Sequence, residues 1–171
     1  MAITMHRASV PMFKQTLASL SSVLEKAEAF CGDGGLDKGE FLQRRLAPDM
    51  FTLAEQIQRA TFHSAQAVAK LTGTDIPEYD DQEKTFDDLQ ARIKTTVKFL
   101  NSFTPEQFEG SETREMKIQT RMALLPFIGE DFLFHFGIPQ FLFHCTTAYD
   151  IIRNAGVEVG KRDFIGNADN R

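Results

Sequence analysis

TLAEQIQRATFHSAQAVAKLTG, residues 52–73, predicts a complete amphipathic helix. Thr52 and Glu55 form a T-x-x-E capping box, because the threonine hydroxyl and the glutamate carboxylate can each accept a bond from a free N–H group of the first turn. Gly73 is suited to end the helix, since glycine readily takes the left-handed conformation that follows many helices. Small and apolar residues between these ends recur at helical spacing and define one inner face: Leu53, Ile57, Ala60, Ser64, Ala67 or Val68, and Leu71.

Another such helix is predicted nearer the N-terminus. Over residues 10–27, apolar side chains follow one another at spacings of 3, 4, 3, 4 and 3, which is the stripe of a helix in a bundle. Ser9 is its predicted N-cap, and Pro11 falls in the first turn, where a proline is tolerated. A short helix is predicted to follow over residues 37–47, since Pro48 disfavours the helical conformation of the residue before it.

Two more long helices complete the pattern. One begins at Thr85, with Asp88 as the acid of its capping box. The other covers residues 139–155, begins at a proline and has Gly156 as its predicted stop. Four long amphipathic helices predict an all-α fold, a four-helix bundle that forms a single domain over residues 1–171.

The segment before the last helix has a different pattern. Within residues 110–125, apolar and polar side chains alternate around Met116, Ile118 and Met122. This alternation is typical of a small strand pair, and an extended excursion of the chain would produce it too.

Phenylalanine is unusually frequent in this chain. There are 16 Phe, no Trp and only 2 Tyr, and six of the Phe fall between Phe127 and Phe143. Phe supplies a large apolar area with no polar group, so this stretch should lie in the core or in a contact between subunits. We expect a homodimer, because so much aromatic surface is hard to bury in one small bundle.

Composition excludes several classes of protein. The 19 Lys+Arg against 24 Asp+Glu give a net charge of −5, which argues against a nucleic-acid binder, since such a protein needs a basic face. The apolar stretch 122–128 is too short for a membrane span. Cys31 and Cys145 are too few for a secreted disulfide framework, so a cytoplasmic location is expected.

Histidines on two predicted helices are the candidates for chemistry. His63 lies at the flank of its helix, and His144 lies at the inner edge of the last helix, where it shares a face with Gln140 one turn earlier. A helical bundle builds metal sites from inward side chains on facing helices, so His63 and His144 are candidate metal ligands. The alternative is that each histidine is a flank residue hydrogen-bonded to a neighbour.

Residues 139–156 resemble the last helix of DinB/YfiT-like proteins, in which a histidine begins a helix that ends near an arginine and a glycine. More closely, the chain is similar to one bacterial family of unknown function within that superfamily, which has the signature Phe-His-x-Thr-Thr-Ala-Tyr. The matching blocks are distributed over nearly the whole chain: Ala8–Pro11, Leu46–Phe51, Phe143–Tyr149 and Gly160–Phe164. The resemblance implies a DinB-like four-helix bundle and, commonly in the superfamily, a homodimer.

The resemblance also implies a place for a metal. Classical members hold a divalent metal on three histidines, one from the second helix and two spaced H-x-x-x-H on the last. His144 matches the second histidine of that pair, and Gln140 stands where the first would be. The second-helix histidine falls near Gln58 or Arg59, and His63 follows about one turn later. One ligand is thus retained, one is displaced, and one is replaced by an amide, which is a weak ligand for zinc or nickel.

Three functions are compatible with these observations. We favour a small-ligand-binding bundle with a degenerate metal site and no assigned activity, in which the ligand contacts Gln140, His144, Tyr149, Gln58 and Arg59. The second is a divalent-metal-dependent enzyme of the DinB/YfiT type, which would transfer thiols or hydrolyse bonds and would require His63 and His144 within about 5 Å on facing helices. The third is a non-catalytic dimeric interaction protein. The cofactor is accordingly none or a divalent metal.

Overall fold

The computed structural model describes residues 3–120 and 122–166. In chain order, the elements of these residues are α1 (Met5–Gly34), α2 (Lys38–Leu42), α3 (Leu53–Thr72), α4 (Phe86–Leu100), β1 (Glu115–Gln119), β2 (Leu124–Ile128), α5 (Gly129–Phe132), α6 (Ile138–Asn154) and α7 (Lys161–Ile165). A 3₁₀ turn at Pro105–Phe108 precedes β1, and a π-helical turn at Leu133–Gly137 joins α5 to α6. No helix of the described part of the chain has both the length and the apolar character of a membrane-crossing segment.

The four long helices α1, α3, α4 and α6 form the predicted bundle around one hydrophobic core. The most extensive contact between two of these helices joins α3 to α6, which places the two candidate histidine-bearing helices side by side. The largest fully buried side chains of the core are Phe13, Phe41, Phe86, Phe132 and Phe141, together with Leu17, Leu24, Leu42, Leu53, Ile57, Leu71 and Leu89. The predicted four-helix architecture is confirmed.

The capping signals determine where α3 and α4 begin. Thr52 Oγ1 accepts from the Glu55 backbone N–H at 3.2 Å, and the Glu55 carboxylate accepts from the Thr52 N–H at 2.7 Å. Thr85 and Asp88 form the same reciprocal pair at the start of α4. Gly73 ends α3 with φ +75°, which is the left-handed conformation that glycine adopts at little cost.

The predicted start of α1 is wrong by four residues. Thr4 is the N-cap, and its hydroxyl accepts from the Arg7 N–H at 3.2 Å. The Ser9 hydroxyl donates instead to the Met5 carbonyl at 2.7 Å, which satisfies a buried serine inside the helix. Pro11 therefore lies in the helix interior and not in its first turn.

The predicted short helix over residues 37–47 is also too long. It begins after the Asp37 cap as expected, but α2 ends at Leu42. The chain then turns back, with an isolated antiparallel bridge between Arg45 and Thr52 that positions the start of α3. Near the other terminus, α7 packs against α1, where Lys26 and Asp163 form an ion pair at 2.5 Å.

The predicted strand pair is present. β1 and β2 are antiparallel, with Ile118 opposite Leu125 and Met116 opposite Phe127, so the second strand extends three residues beyond the predicted segment. Ile118 is buried beneath the hairpin, whereas Leu124 and Ile128 on the opposite face are exposed.

Most of the Phe-rich stretch is buried within the single chain. Phe132 and Phe141 are fully buried, and Phe127 and Phe136 pack against Phe132 at ring separations of 6.0 and 5.9 Å. Phe134 and Phe143 remain exposed. The aromatic surface left for a subunit contact is thus smaller than the sequence suggested.

Candidate functional site

Helices α3 and α6 bring His63 and His144 into direct contact. Their rings are parallel within 4°, and the ring centroids are 5.3 Å apart. The two side chains come from facing helices, as the sequence analysis required of any site that uses both.

Hydrogen bonding determines the tautomer of His144. Its Nδ1 lies 2.7 Å from Oε1 of Gln56, and both side chains are buried. Because an amide oxygen can only accept, the Nδ1–H of His144 donates, and its Nε2 carries the free lone pair in the neutral ring. The Nδ1 of His63 is buried and has no hydrogen-bond partner within the described residues.

Burial keeps both imidazoles uncharged. Desolvation lowers the pKa of His63 to about 4, and the positive charge of Arg59 contributes to this. Desolvation likewise lowers the pKa of His144 to about 4, with smaller contributions from His63 and Arg59. At neutral pH the pair is therefore a neutral acceptor site and a poor place for a positive charge.

Three phenylalanines surround the histidine pair. The Phe62 ring meets His63 edge-on at 5.4 Å, and the Phe143 ring meets His144 edge-on at 5.3 Å. Phe51 lies 6.1 Å from His144 in a tilted arrangement. Phe51 is 47% exposed and Phe143 is 54% exposed, so the histidine pair is flanked by apolar surface that the chain itself does not cover.

On the other side of α3, the loop over residues 74–84 is held by arginines. Arg59 donates to Asp81 at 2.5 Å, and its guanidinium lies 5.5 Å from the centre of the Phe62 ring. The Gln58 amide donates to Glu83 Oε2 at 2.9 Å. The two α3 positions that correspond to the family's second-helix histidine thus bind acidic residues of this loop.

Arg92 of α4 is the centre of this network. Its side chain is only 2% exposed, and each guanidinium nitrogen is bonded. The acceptors are Glu83 Oε1 at 2.7 Å, Asp81 Oδ1 at 2.8 Å, Thr61 Oγ1 at 2.7 Å and the Gln58 carbonyl at 3.2 Å. The Tyr79 ring lies 4.1 Å from the guanidinium carbon, which adds a cation–π contact.

Sequence analysis did not identify Arg92 as a candidate. One signal was present, because Arg92 follows Leu89 by three residues and precedes Ile93, so it lies on the apolar side of α4. A charged residue at such a position requires a buried partner, and the acidic loop that precedes α4 is the nearest source of one.

Two cavities flank the loop. One has a volume of about 950 Å³ and lies between the loop and α4, with Phe62 and Tyr79 in its wall. The other has a volume of about 520 Å³ and lies towards the start of α3, beside Phe51 and Gln58. The residues common to both linings are Arg59, Asp81, Gln82 and Glu83.

The structure brings together only some of the five predicted ligand contacts. Gln58 and Arg59 line the smaller cavity, and His144 adjoins it through Phe51. Gln140 is half-buried one turn before His144 and lines neither of the two cavities. Tyr149 packs against Phe164 of α7 at 5.6 Å and also lies outside both linings.

A three-histidine metal centre does not fit these residues. Among residues 3–120 and 122–166, no group of three or more His, Cys, Asp or Glu side chains could hold a metal ion. Gln58 and Arg59 already bind Glu83 and Asp81, so neither is free to supply the missing second-helix ligand. The retained His144 has only His63 beside it as a second nitrogen ligand.

Comparison with known proteins agrees with this fold. A family described as "Domain of unknown function (DUF1993)" matches residues 5–165. A crystal structure of a DinB family member protein from Shewanella denitrificans is similar to this chain, with 35% sequence identity and a TM-score of 0.87, over 95% of this chain and 92% of that one. No curated protein matches the sequence. The predicted resemblance to DinB-like proteins of unknown function is confirmed.

Proposed function

We propose that this protein, which belongs to the DUF1993 family and has a DinB-like fold, binds a small polar molecule where the loop over residues 74–84 crosses α3 and α4. The observation that carries the proposal is the pair of cavities that meet at Arg59. Their volumes of about 950 and 520 Å³ are in the range of small-molecule sites. Arg59 supplies charge, and the rings of Phe51, Phe62 and Tyr79 supply apolar surface.

Binding is favoured over metal-dependent catalysis by the chemistry of the histidines. A general base is most effective when its pKa lies near the working pH, and both imidazoles have pKa values of about 4. A metal that activates water needs several strong ligands, and this site offers two nitrogens. The lone pair on Nε2 of His144 remains available to accept a hydrogen bond from a ligand at the edge of the smaller cavity.

The proposal is tested by a binding screen that follows the melting temperature of the protein. A library of small polar metabolites is applied to the wild-type protein and to two variants, Arg59→Gln and Lys94→Gln. Lys94 is an exposed residue of α4 outside both cavities, so its variant matches the charge change. A compound should stabilise the wild type and Lys94→Gln but not Arg59→Gln. A ligand that binds all three proteins equally would place its site elsewhere and contradict the proposal.

The metalloenzyme alternative has its own test. Elemental analysis of the purified protein, followed by titration with zinc, nickel and manganese, measures whether His63 and His144 hold a metal. Near-stoichiometric metal that is lost in His144→Ala would favour the enzyme function. Our proposal predicts no tight uptake by either protein.

We also propose a homodimer in a bacterial cytoplasm. The dimer is supported by the half-exposed rings of Phe51 and Phe143 on either side of His144, which a second copy could cover. A reducing compartment is supported by Cys31 and Cys145, which are both buried free thiols. Sedimentation equilibrium measures the first of these proposals directly.

A further inference from the structure

Glu83 is held in the way that a protein holds a bound carboxylate. Its Oε1 accepts from Nη1 of Arg92 at 2.7 Å, and its Oε2 accepts from Nε2 of Gln58 at 2.9 Å. The side chain is only 11% exposed. Both oxygens are thus bonded by groups from two different helices, and charge-assisted bonds of this kind are the strong ones.

The charge of Arg92 depends on the loop for compensation. The partners that α3 offers are a hydroxyl, Thr61 Oγ1, and a backbone carbonyl, that of Gln58, and both are neutral. Among the described residues, the anions bonded to Arg92 are Asp81 and Glu83 of the loop. A buried guanidinium without an anion is strongly destabilising, so the site requires a carboxylate whenever the loop is displaced.

The loop itself is weakly attached. No residue from 74 to 85 is buried, and the contacts that join the loop to the bundle come from Tyr79, Asp81 and Glu83. Asp81 also has φ +52°, a left-handed conformation that is costly for a residue other than glycine. A segment with few buried contacts and a strained residue opens at a small cost in free energy.

Glu83 also lies at the boundary between the two cavities. It lines both of them, with Arg92 on the wall of the larger and Gln58 on the wall of the smaller. Withdrawal of its side chain would join the cavities and leave the donors of Arg92 and Gln58 pointing into the joined space. A ligand that spans both cavities would therefore meet these donors at its middle.

We propose that Arg92, Gln58 and Thr61 form a binding site for a ligand carboxylate, which Glu83 occupies in the free protein and from which the ligand displaces it. This inference rests on the proposed function, because it assigns the chemical class of the molecule that binds there. A carboxylate fits better than a phosphate, since the two donors match two oxygens of a monoanion. The neighbouring acidic residues Glu78 and Asp80 would oppose a dianion.

The experiment removes the internal carboxylate. Binding of acetate and succinate is measured by calorimetry for the wild type, for Glu83→Ala and for Glu78→Ala, which deletes an exposed carboxylate of the same loop. Glu83→Ala should bind acetate saturably and at least about tenfold more tightly than the wild type, because it no longer competes with its own side chain. Glu78→Ala should behave as the wild type, and the double variant Glu83→Ala/Arg92→Gln should bind no acetate.

A second measurement follows displacement in the intact loop. The chain has two tyrosines and no tryptophan, so in a Tyr149→Phe background the fluorescence comes from Tyr79, which lies on Arg92. Saturating succinate should change this fluorescence, and sodium chloride at equal ionic strength should not. This measurement also replaces the first if Glu83→Ala does not fold.

Two results would overturn the inference. One is acetate binding by Glu83→Ala that is no tighter than that of the wild type, or that persists without Arg92. The other is Tyr79 fluorescence that does not respond to succinate. Either result would leave the proposed function intact if the binding screen still yields a ligand that depends on Arg59, so the two failures are distinguishable.

Discussion

His63 and His144 are expected to make the protein sensitive to mild acid. The usual pKa of histidine, 6.5, is lowered to about 4 at both positions by burial. Between these pH values the unfolded chain binds protons that the folded protein does not, so the free energy of unfolding falls as the pH drops through this window. The loss should be roughly 1 kcal/mol per histidine between pH 7 and pH 5.

Urea denaturation at a series of pH values measures this loss. Replacement of both histidines in His63→Gln/His144→Gln should flatten the pH dependence between pH 7 and pH 5. His135→Gln, which changes an exposed histidine, serves as the control and should retain the wild-type profile. An unchanged profile in the double variant would show that other groups cause the acid sensitivity.

The Arg92–Glu83 pair should be strongly coupled in stability. Arg92→Gln leaves a poorly exposed carboxylate without its cation and should lower the free energy of unfolding by roughly 3 kcal/mol. Glu83→Gln should cost less, because Asp81 still contacts Arg92. The double variant should be more stable than the sum of the single effects predicts, by about 1 to 3 kcal/mol. Additive losses in urea denaturation would mean that the two side chains do not stabilise each other.

At the scale of the element, two glycines near helix ends should respond oppositely to alanine. Gly73 has φ +75°, and an added Cβ would lie 3.1 Å from Nη1 of Arg114, so Gly73→Ala should destabilise by about 1 kcal/mol or more. Gly32 lies within α1 with open space around its Cβ position, so Gly32→Ala should stabilise by about 0.5 to 1 kcal/mol. Thermal unfolding compares the two, and a stabilising Gly73→Ala would contradict the strain argument.

Local signals explain which helix ends could be predicted from the sequence. The starts of α3 and α4 depend on side chains three residues apart, Thr52 with Glu55 and Thr85 with Asp88, and such pairs are visible in the sequence. The start of α1 was missed because Ser9 has the chemistry of a cap, yet it is buried and bonds a carbonyl of its own helix.

At the scale of the whole molecule, the candidate site was predictable only in part. His63 and His144 could be paired because helical spacing places each on a known face, and packing of α3 on α6 brings those faces together. Arg92 and Glu83 could not, because their contact depends on the path of a loop without regular structure. The same loop explains why the fold is retained while the metal-site positions Gln58 and Arg59 serve another purpose.

The exposed phenylalanines provide the last test at this scale, that of the subunit contact. Phe143 is 54% exposed beside His144, and Phe134, from the same Phe-rich stretch, is 44% exposed beside the N-terminal end of α1. If the face around His144 is the dimer contact, Phe143→Ser should convert a dimer to a monomer at micromolar concentration, because it removes a large apolar ring from the interface. Phe134→Ser makes the same chemical change elsewhere and should remain dimeric. Sedimentation equilibrium distinguishes these outcomes, and a wild-type protein that is monomeric at micromolar concentration would exclude the homodimer.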